Sequence, residues 1–278
     1  MVKVYLISYA DGKFKKQQDR LNDSAKKFGI NYFISYNREY LKSLNFYKKY
    51  KHILDQSKGS GYWLWKPFFI YKTLSTIAEG DYLIYADAGA VFVNSPLPLL
   101  KRAKGEDIVL FSNGEENRKW NKRDCMIRMG CNDYKAAFAH QVTAGFQIYK
   151  NTKKSREFVK EWLRYCCKPG LIEDSLNKEK EDKMFKEHRH DQAILTNVAI
   201  KHNIYLYRDP SQGGNHLKPK EFRVRGEWLK PPYVYIDKTE RFKYPTIINH
   251  LRDASKFRLL LIKIHSRLPR WLKKITKK

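Results

Sequence analysis

The hydrophobic pattern opens with an alternating run rich in Val, Ile and Tyr, Val2–Tyr9, which predicts a first strand. A polar helix is predicted over roughly 13–28 with Gly29 as its stop, and Ile30–Tyr36 predicts a second strand. A strand–helix–strand opening of this kind predicts a parallel sheet with crossover helices. Pro67 stands where a first helical turn accepts proline, and Ile70, Tyr71, Leu74 and Ile77 then recur at helical spacing up to Gly80. Asp81 leads into a predicted strand, Tyr82–Ala86, that ends at Asp87-Ala88-Gly89. Further strands are predicted over Asp107–Phe111, Ala144–Tyr149 and Ile204–Tyr207, with a long polar loop from Asn113 to Tyr134. Two late helices follow: Ser155–Cys166, apolar through Phe158, Trp162 and Tyr165, and Gln192–Lys201 after a charged loop. With no internal repeat and no linker, the pattern predicts one α/β domain over 1–252 and a separate tail over 253–278.

In that tail Phe257, Leu260, Leu261, Ile264, Leu268 and Trp271 step mostly by three or four, with Lys and Arg largely between them. This is a basic amphipathic helix, expected to lie on an anionic membrane surface; docking on the protein's own core with a basic outer face is the other reading. Charge sharpens the point. The 278 residues carry 56 Lys and Arg against 29 Asp and Glu, a net +27, which asks for an anionic partner: nucleic acid, anionic lipid or a phosphorylated small molecule. At 42% hydrophobic and 14% aromatic the chain has material for a core, which excludes a disordered protein. Cys125, Cys131, Cys166 and Cys167 lack paired metal-binding spacing and read as reduced thiols. The N-terminus has too short an apolar run for a signal peptide, and nothing approaches the ~20 apolar residues of a spanning helix. The expected location is cytoplasmic, peripheral to the cytosolic membrane face.

Four places carry candidate chemistry. Asp87 is a carboxylate at the carboxyl end of a buried strand, where open α/β sheets bind ligands, and the small Ala88 and Gly89 leave room for a bulky anion. Its hard oxygens suit Mg²⁺ or Mn²⁺; a turn aspartate is the plainer reading. His188-Arg189-His190-Asp191-Gln192 gathers donors and acceptors at a helix start, although Asp191 could simply cap that helix. His250 ends the apolar run YPTIINH, where a lone histidine is more often structural than a ligand. Lys66 could face a diphosphate as a point charge or lie in solvent, and Trp63 and Trp65 could stack on sugars or pack the core.

Taken in order, GYWLWKP, GDYLIYADAG, AGFQIYKNT, HRHDQAILTN and a late histidine resemble the GT-A-fold glycosyltransferases. The likeness is greatest to bacterial and viral enzymes of capsule, lipopolysaccharide or glycan synthesis, with echoes of the retaining galactosyltransferase and glycogenin-type family, and it spans roughly residues 1–252. It implies an open, mostly parallel sheet with flanking helices. The implied reaction moves a sugar from a nucleoside diphosphate sugar, UDP favoured, to a hydroxyl of a growing lipid-linked or surface glycan. Asp87 matches the first carboxylate of the family's Asp-x-Asp motif, which contacts ribose and metal, and Gly89 stands where the second is usual. A metal would then depend on Asp87 and His250, or be dispensed with. Ser8 and Tyr9 would lie near the base, with Lys66, Asp87, Ala88 and Gly89 holding the nucleotide. Trp63, Trp65, Ala144, Gly145, His188 and His190 would face the sugars. Asp191 and Gln192 match the pair beside the reactive carbon: Asp191 as general base if configuration inverts, either residue stabilising an oxocarbenium-like centre if it is retained. Resemblance alone favours retention. Two other readings compete. A basic nucleic-acid-binding protein leaves YADAG and HRHDQ unexplained, and no nucleic acid is expected; a non-catalytic, membrane-associated glycan-binding relative would take Gly89 as the mark of lost activity.

Overall fold

The computed structural model describes residues 2–103, 105–174, 179–216, 223–224, 227–228 and 244–251. The basic tail and the boundary expected at 252 lie outside the described residues. The chain begins β1 (Val4–Ala10), α1 (Lys15–Lys26), β2 (Tyr32–Asn37), short helical turns over 38–54, α2 (Trp65–Leu74), β3 (Tyr82–Ala86) and β4 (Ala90–Phe92). It continues with β5 (Ile108–Val109), β6 (Phe111–Glu116), β7 (His140–Val142), β8 (Phe146–Lys150), α3 (Lys153–Cys166), α4 (His190–Lys201) and β9 (Tyr207–Arg208). The two-residue strands β10 (Arg223–Val224) and β11 (Glu227–Trp228) pair with each other, and β12 (Ile248–His250) follows.

The central sheet has the order β2-β1-β3-β8-β5. β1 is parallel to β2 and to β3, whereas β8 runs antiparallel to both β3 and β5, so β8 alone is reversed in an otherwise parallel sheet. Alternate residues feed two cores, as a strand with both faces covered requires. Ile7, Leu83 and Tyr85 pack with Phe69, Ile70, Phe158, Trp162 and Ile194 of α2, α3 and α4. Leu6, Ile84 and Ala86 pack on the other face with Leu21 and Ala25 of α1 and with Leu99. A mixed α/β fold with a mostly parallel sheet is therefore what the chain adopts. Among the described residues no helix is long and apolar enough to cross a membrane.

Three expectations change. The strand expected over Asp107–Phe111 is divided, because the chain leaves the central sheet after β5 and enters a second one, β7-β6-β9. The polar stretch from Asn113 to Tyr134 carries the end of β6 and helical turns at Asn117–Trp120 and Arg123–Arg128, and its Asn117 and Asn121 are buried. The strand expected over Ile204–Tyr207 begins only at Tyr207, since the Ile204 amide still closes the end of α4 on the Ala199 carbonyl.

Candidate functional site

Parallel β1 and β3 end at the same edge of the sheet where antiparallel β8 begins, which brings Tyr9, Asp87 and Gly145 to one end of the molecule. The Asp87 amide donates to the Gly145 carbonyl at 2.9 Å, extending the β3–β8 ladder one step past the strand. Lys66 reaches the same place from an irregular entry into α2. Gly59, Ser60, Gly61, Tyr62 and Trp63 all have φ between +49° and +99°, a single left-handed helical turn. This geometry costs about 1–2 kcal/mol per non-glycine residue. Gly61 is required there, since a Cβ would stand 2.5 Å from the Leu54 Cα. The Trp63 ring covers Gly59, and the Trp65 indole N–H donates to the Gly59 carbonyl at 3.0 Å. The turn reverses into α2 at Leu64 and aims Lys66 inward.

Lys66 is 3% exposed and lies 3.1 Å from Asp191 Oδ2 and 3.5 Å from Asp87 Oδ1. It is thus not solvated; it bridges two carboxylates. Burial works against its charge, but the two carboxylates outweigh that and hold its pKa above 10.5. Asp191 shows the opposite balance: burial raises its pKa to about 6 although Lys66 pulls it down, and the Asp87 charge adds to the rise. Asp87 keeps 30% of its side chain exposed and receives the Tyr85 hydroxyl on Oδ1 at 2.6 Å. Burial first, then Asp87, drives the Tyr85 pKa well above 10 and keeps it a donor.

β12 pairs antiparallel with β4, placing His250 opposite Ala90. The Leu251 amide donates to the Gly89 carbonyl at 2.9 Å, and the Gln212 carboxamide bridges the backbone amide and carbonyl of His250. A Cβ on Gly145 would sit 3.0 Å from Asp87 Oδ2 and 3.8 Å from His250 Cε1. The absent side chain leaves a cradle flanked by a carboxylate oxygen and an imidazole. Among the described residues no group of three or more His, Cys, Asp or Glu gathers as a metal site. Asp87 and His250 are the two residues here that a divalent cation would take, its remaining ligands then having to come from outside the protein.

Gln192 stands across this cradle, its Oε1 accepting the Ala144 amide at 3.3 Å. The Ala144-Gly145 turn therefore touches Gln192 on one side and Asp87 on the other. Asp191 is not the N-cap of α4: Arg189 holds that position without a side-chain cap bond, and the Asp191 carboxylate, inside the first turn, turns to Lys66. Ala88 is buried beside Asp87. Ser8, 1% exposed, receives Gln18 Nε2 at 3.1 Å, and Tyr9 stacks on Trp65 with ring centroids 4.1 Å apart. Trp65 is accordingly a core residue supporting the edge of the site.

The two histidines have structural partners. His188 shares Nε2 with the Leu171 carbonyl at 2.8 Å and receives the Lys122 amide on Nδ1 at 3.3 Å, so both ring nitrogens are occupied. His190, at φ +48°, binds the Ile172 carbonyl through Nδ1 at 2.8 Å and packs against Tyr62 and Trp63. Burial lowers both pKa values, that of His188 well below 6.5. Together they fasten the 171–172 segment over the start of α4. Tyr85, inside an apolar strand, and Asn117, Asn121, Gln141 and Asn197, a buried amide cluster behind Gln192, carry no local signal in the sequence. Asn117 and Asn121 stand in a polar stretch that reads as loop, Gln141 and Asn197 in a strand and a helix, and only their burial joins them.

No protein-family model matches the chain and no curated protein matches its sequence. Solved structures do. The bifunctional glycosyltransferase WbbM superposes with a TM-score of 0.51 at 13% identity over 99% of this chain, which spans about half (51%) of WbbM. The galactosyltransferase LgtC, in complex with donor and acceptor sugar analogues, matches with a TM-score of 0.51 at 13% identity, covering 97% of this chain and 99% of LgtC. An active-site mutant of LgtC matches at 0.52 with the same identity and coverage. The fold of this chain is the α/β fold of these glycosyltransferases.

Proposed function

We propose that the protein transfers a sugar from a nucleoside diphosphate sugar to a hydroxyl of a glycan acceptor. The observation that carries this is the convergence of Asp87, Gly145, His250, Asp191 and Gln192 at the carboxyl end of β3. That is where an open α/β sheet binds its ligand, and LgtC, which shares the fold, has been seen with donor and acceptor analogues. A UDP-sugar donor and a lipid-linked or surface glycan acceptor remain our preferred substrates, with peripheral attachment to the cytosolic membrane face.

Each residue then has a task. Asp87 and His250 would hold Mn²⁺ or Mg²⁺, which supplies charge neutralisation for the leaving diphosphate. Tyr85 fixes Asp87 through Oδ1, so that Oδ2 faces the cradle. Gln192 presents its carboxamide to the reactive carbon, where an oxocarbenium-like centre is stabilised by an oxygen dipole already in position. Asp191, paired with Lys66, places negative charge behind it, and the Ala144-Gly145 turn keeps the sugar-facing side free of bulk. A thermal-shift screen against UDP-, GDP-, CMP- and TDP-sugars, with and without Mn²⁺, tests the reading. A rise for one nucleotide that grows with Mn²⁺ is expected. No rise with any donor, in folded protein, would count against it.

A further inference from the structure

Behind Gln192 lies a chain of buried carboxamides joined nitrogen to oxygen, in which Asn117 uses its full hydrogen-bonding capacity. Gln192 Nε2 donates to Gln141 Oε1 at 2.9 Å, and Gln141 Nε2 donates to Asn117 Oδ1 at 2.8 Å. Asn117 Oδ1 also receives Asn121 at 3.1 Å, while its own Nδ2 donates to the Ala136 carbonyl at 3.1 Å and to Asn197 Oδ1 at 3.2 Å. Asn121 donates to Asn197 Oδ1 at 2.9 Å, and its own Oδ1 is buried without a hydrogen-bond partner. Asn117, Gln141 and Asn197 are 0% exposed, whereas Gln192 is half-buried at the edge of the site.

A carboxamide offers two acceptor and two donor positions, and Asn117 uses all four, so it has one orientation. Its oxygen must meet the nitrogen of Gln141, which forces the oxygen of Gln141 toward Gln192. Gln192 must then answer with its nitrogen and turn its oxygen to the Ala144 amide. A flipped Gln192 would set oxygen against oxygen at Gln141 and N–H against N–H at Ala144. Leaving such groups buried and unmatched is costly, so the flipped state is disfavoured.

We propose that Gln141, locked by Asn117, is a positioning residue that holds the Gln192 carboxamide with its oxygen on the Ala144-Gly145 side, toward Asp87 and the reacting sugar. This rests on the sugar-transfer reading above. Gln141 has no exposure through which to touch substrate; it acts through Gln192.

The test is a double-mutant cycle on the full chain, using the donor that gives turnover. Gln141→Leu is expected to lower kcat about tenfold with donor KM changed less than about twofold, and to cause no further loss in a Gln192→Leu background. Gln141→Glu keeps the shape. Its protonated carboxyl can donate to Asn117 and accept from Gln192, so it should retain kcat within about threefold. Losses that multiply in the double variant, or a glutamate as inactive as leucine, would overturn the proposal. If the wild-type protein turns over no donor, the functional reading fails, and the orientation claim is judged on the ¹⁵N side-chain amide resonance of Gln192. Gln141→Leu must displace that resonance; an unmoved signal would overturn the claim.

Discussion

Asp191 is held between two opposed effects, burial that favours its neutral form and Lys66 at 3.1 Å that favours its charge, and the outcome is a pKa of about 6. If the ionised form serves the reaction, kcat/KM should rise with pH along a limb near 6. Lys66→Met removes the attraction and should carry that limb to higher pH; a limb that stays in place would show that another group titrates. The stability consequence has the opposite sign from an ordinary paired carboxylate. Because the folded-state pKa lies above the unfolded value of 3.8, folding binds the proton more tightly. The contribution of this group is fully present below about pH 4 and is lost as pH rises to about 6. At Gly145 the expected change is local. Gly145→Ala sets a methyl 3.0 Å from Asp87 Oδ2 and 3.8 Å from His250 Cε1. The Mn²⁺-dependent part of the donor thermal shift should shrink while the melting temperature without ligand changes by less than about 3 °C.

At the scale of elements, the left-handed turn at 59–63 is the most demanding piece of backbone beside the site. Gly61→Ala meets the Leu54 backbone at 2.5 Å from a φ of +99° and should cost about 2 kcal/mol or more in urea unfolding. Gly80→Ala, at φ +87° with open space around it, should cost less, so the difference between the two isolates the clash. The regular elements were legible in sequence because periodicity and punctuation agree. Tyr82–Ala86 has the strand bounds its apolar run predicts, and the helix expected from Ser155 starts two residues earlier because Thr152 caps it in a box with Ser155. Thr152→Ala should therefore cost about 1 kcal/mol. The left-handed turn was not legible. Glycines at 59 and 61 announce a turn, but nothing local marks Tyr62 and Trp63 for positive φ, and their rings pack against His190, far along the chain. The amide cluster was hidden for a related reason: Asn117, Asn121, Gln141 and Asn197 come from three separate stretches, and no local pattern joins them.

Across the whole molecule, the residues singled out by the motifs meet at one sheet edge, because parallel β1 and β3 end where the reversed β8 begins. Asp87, Gly145 and His250 are far apart in sequence and meet through the β3–β8 and β4–β12 pairings. Asp191 and Gln192 arrive from α4, on the opposite flank of the Ala144-Gly145 turn. Charge is the property the architecture explains least. Lys66 is buried and neutralised, and the densest basic segment lies beyond residue 252, outside the described residues. The central claim is that these converging groups transfer sugar, and it is tested most directly by nucleoside diphosphate release from a panel of nucleotide sugars by wild-type and Asp191→Asn protein. The account predicts turnover of one donor by the wild type, and at least about a hundredfold loss in the variant with its donor-induced thermal shift retained. Equal turnover by the two proteins, or none of any donor by a folded wild type, would contradict it.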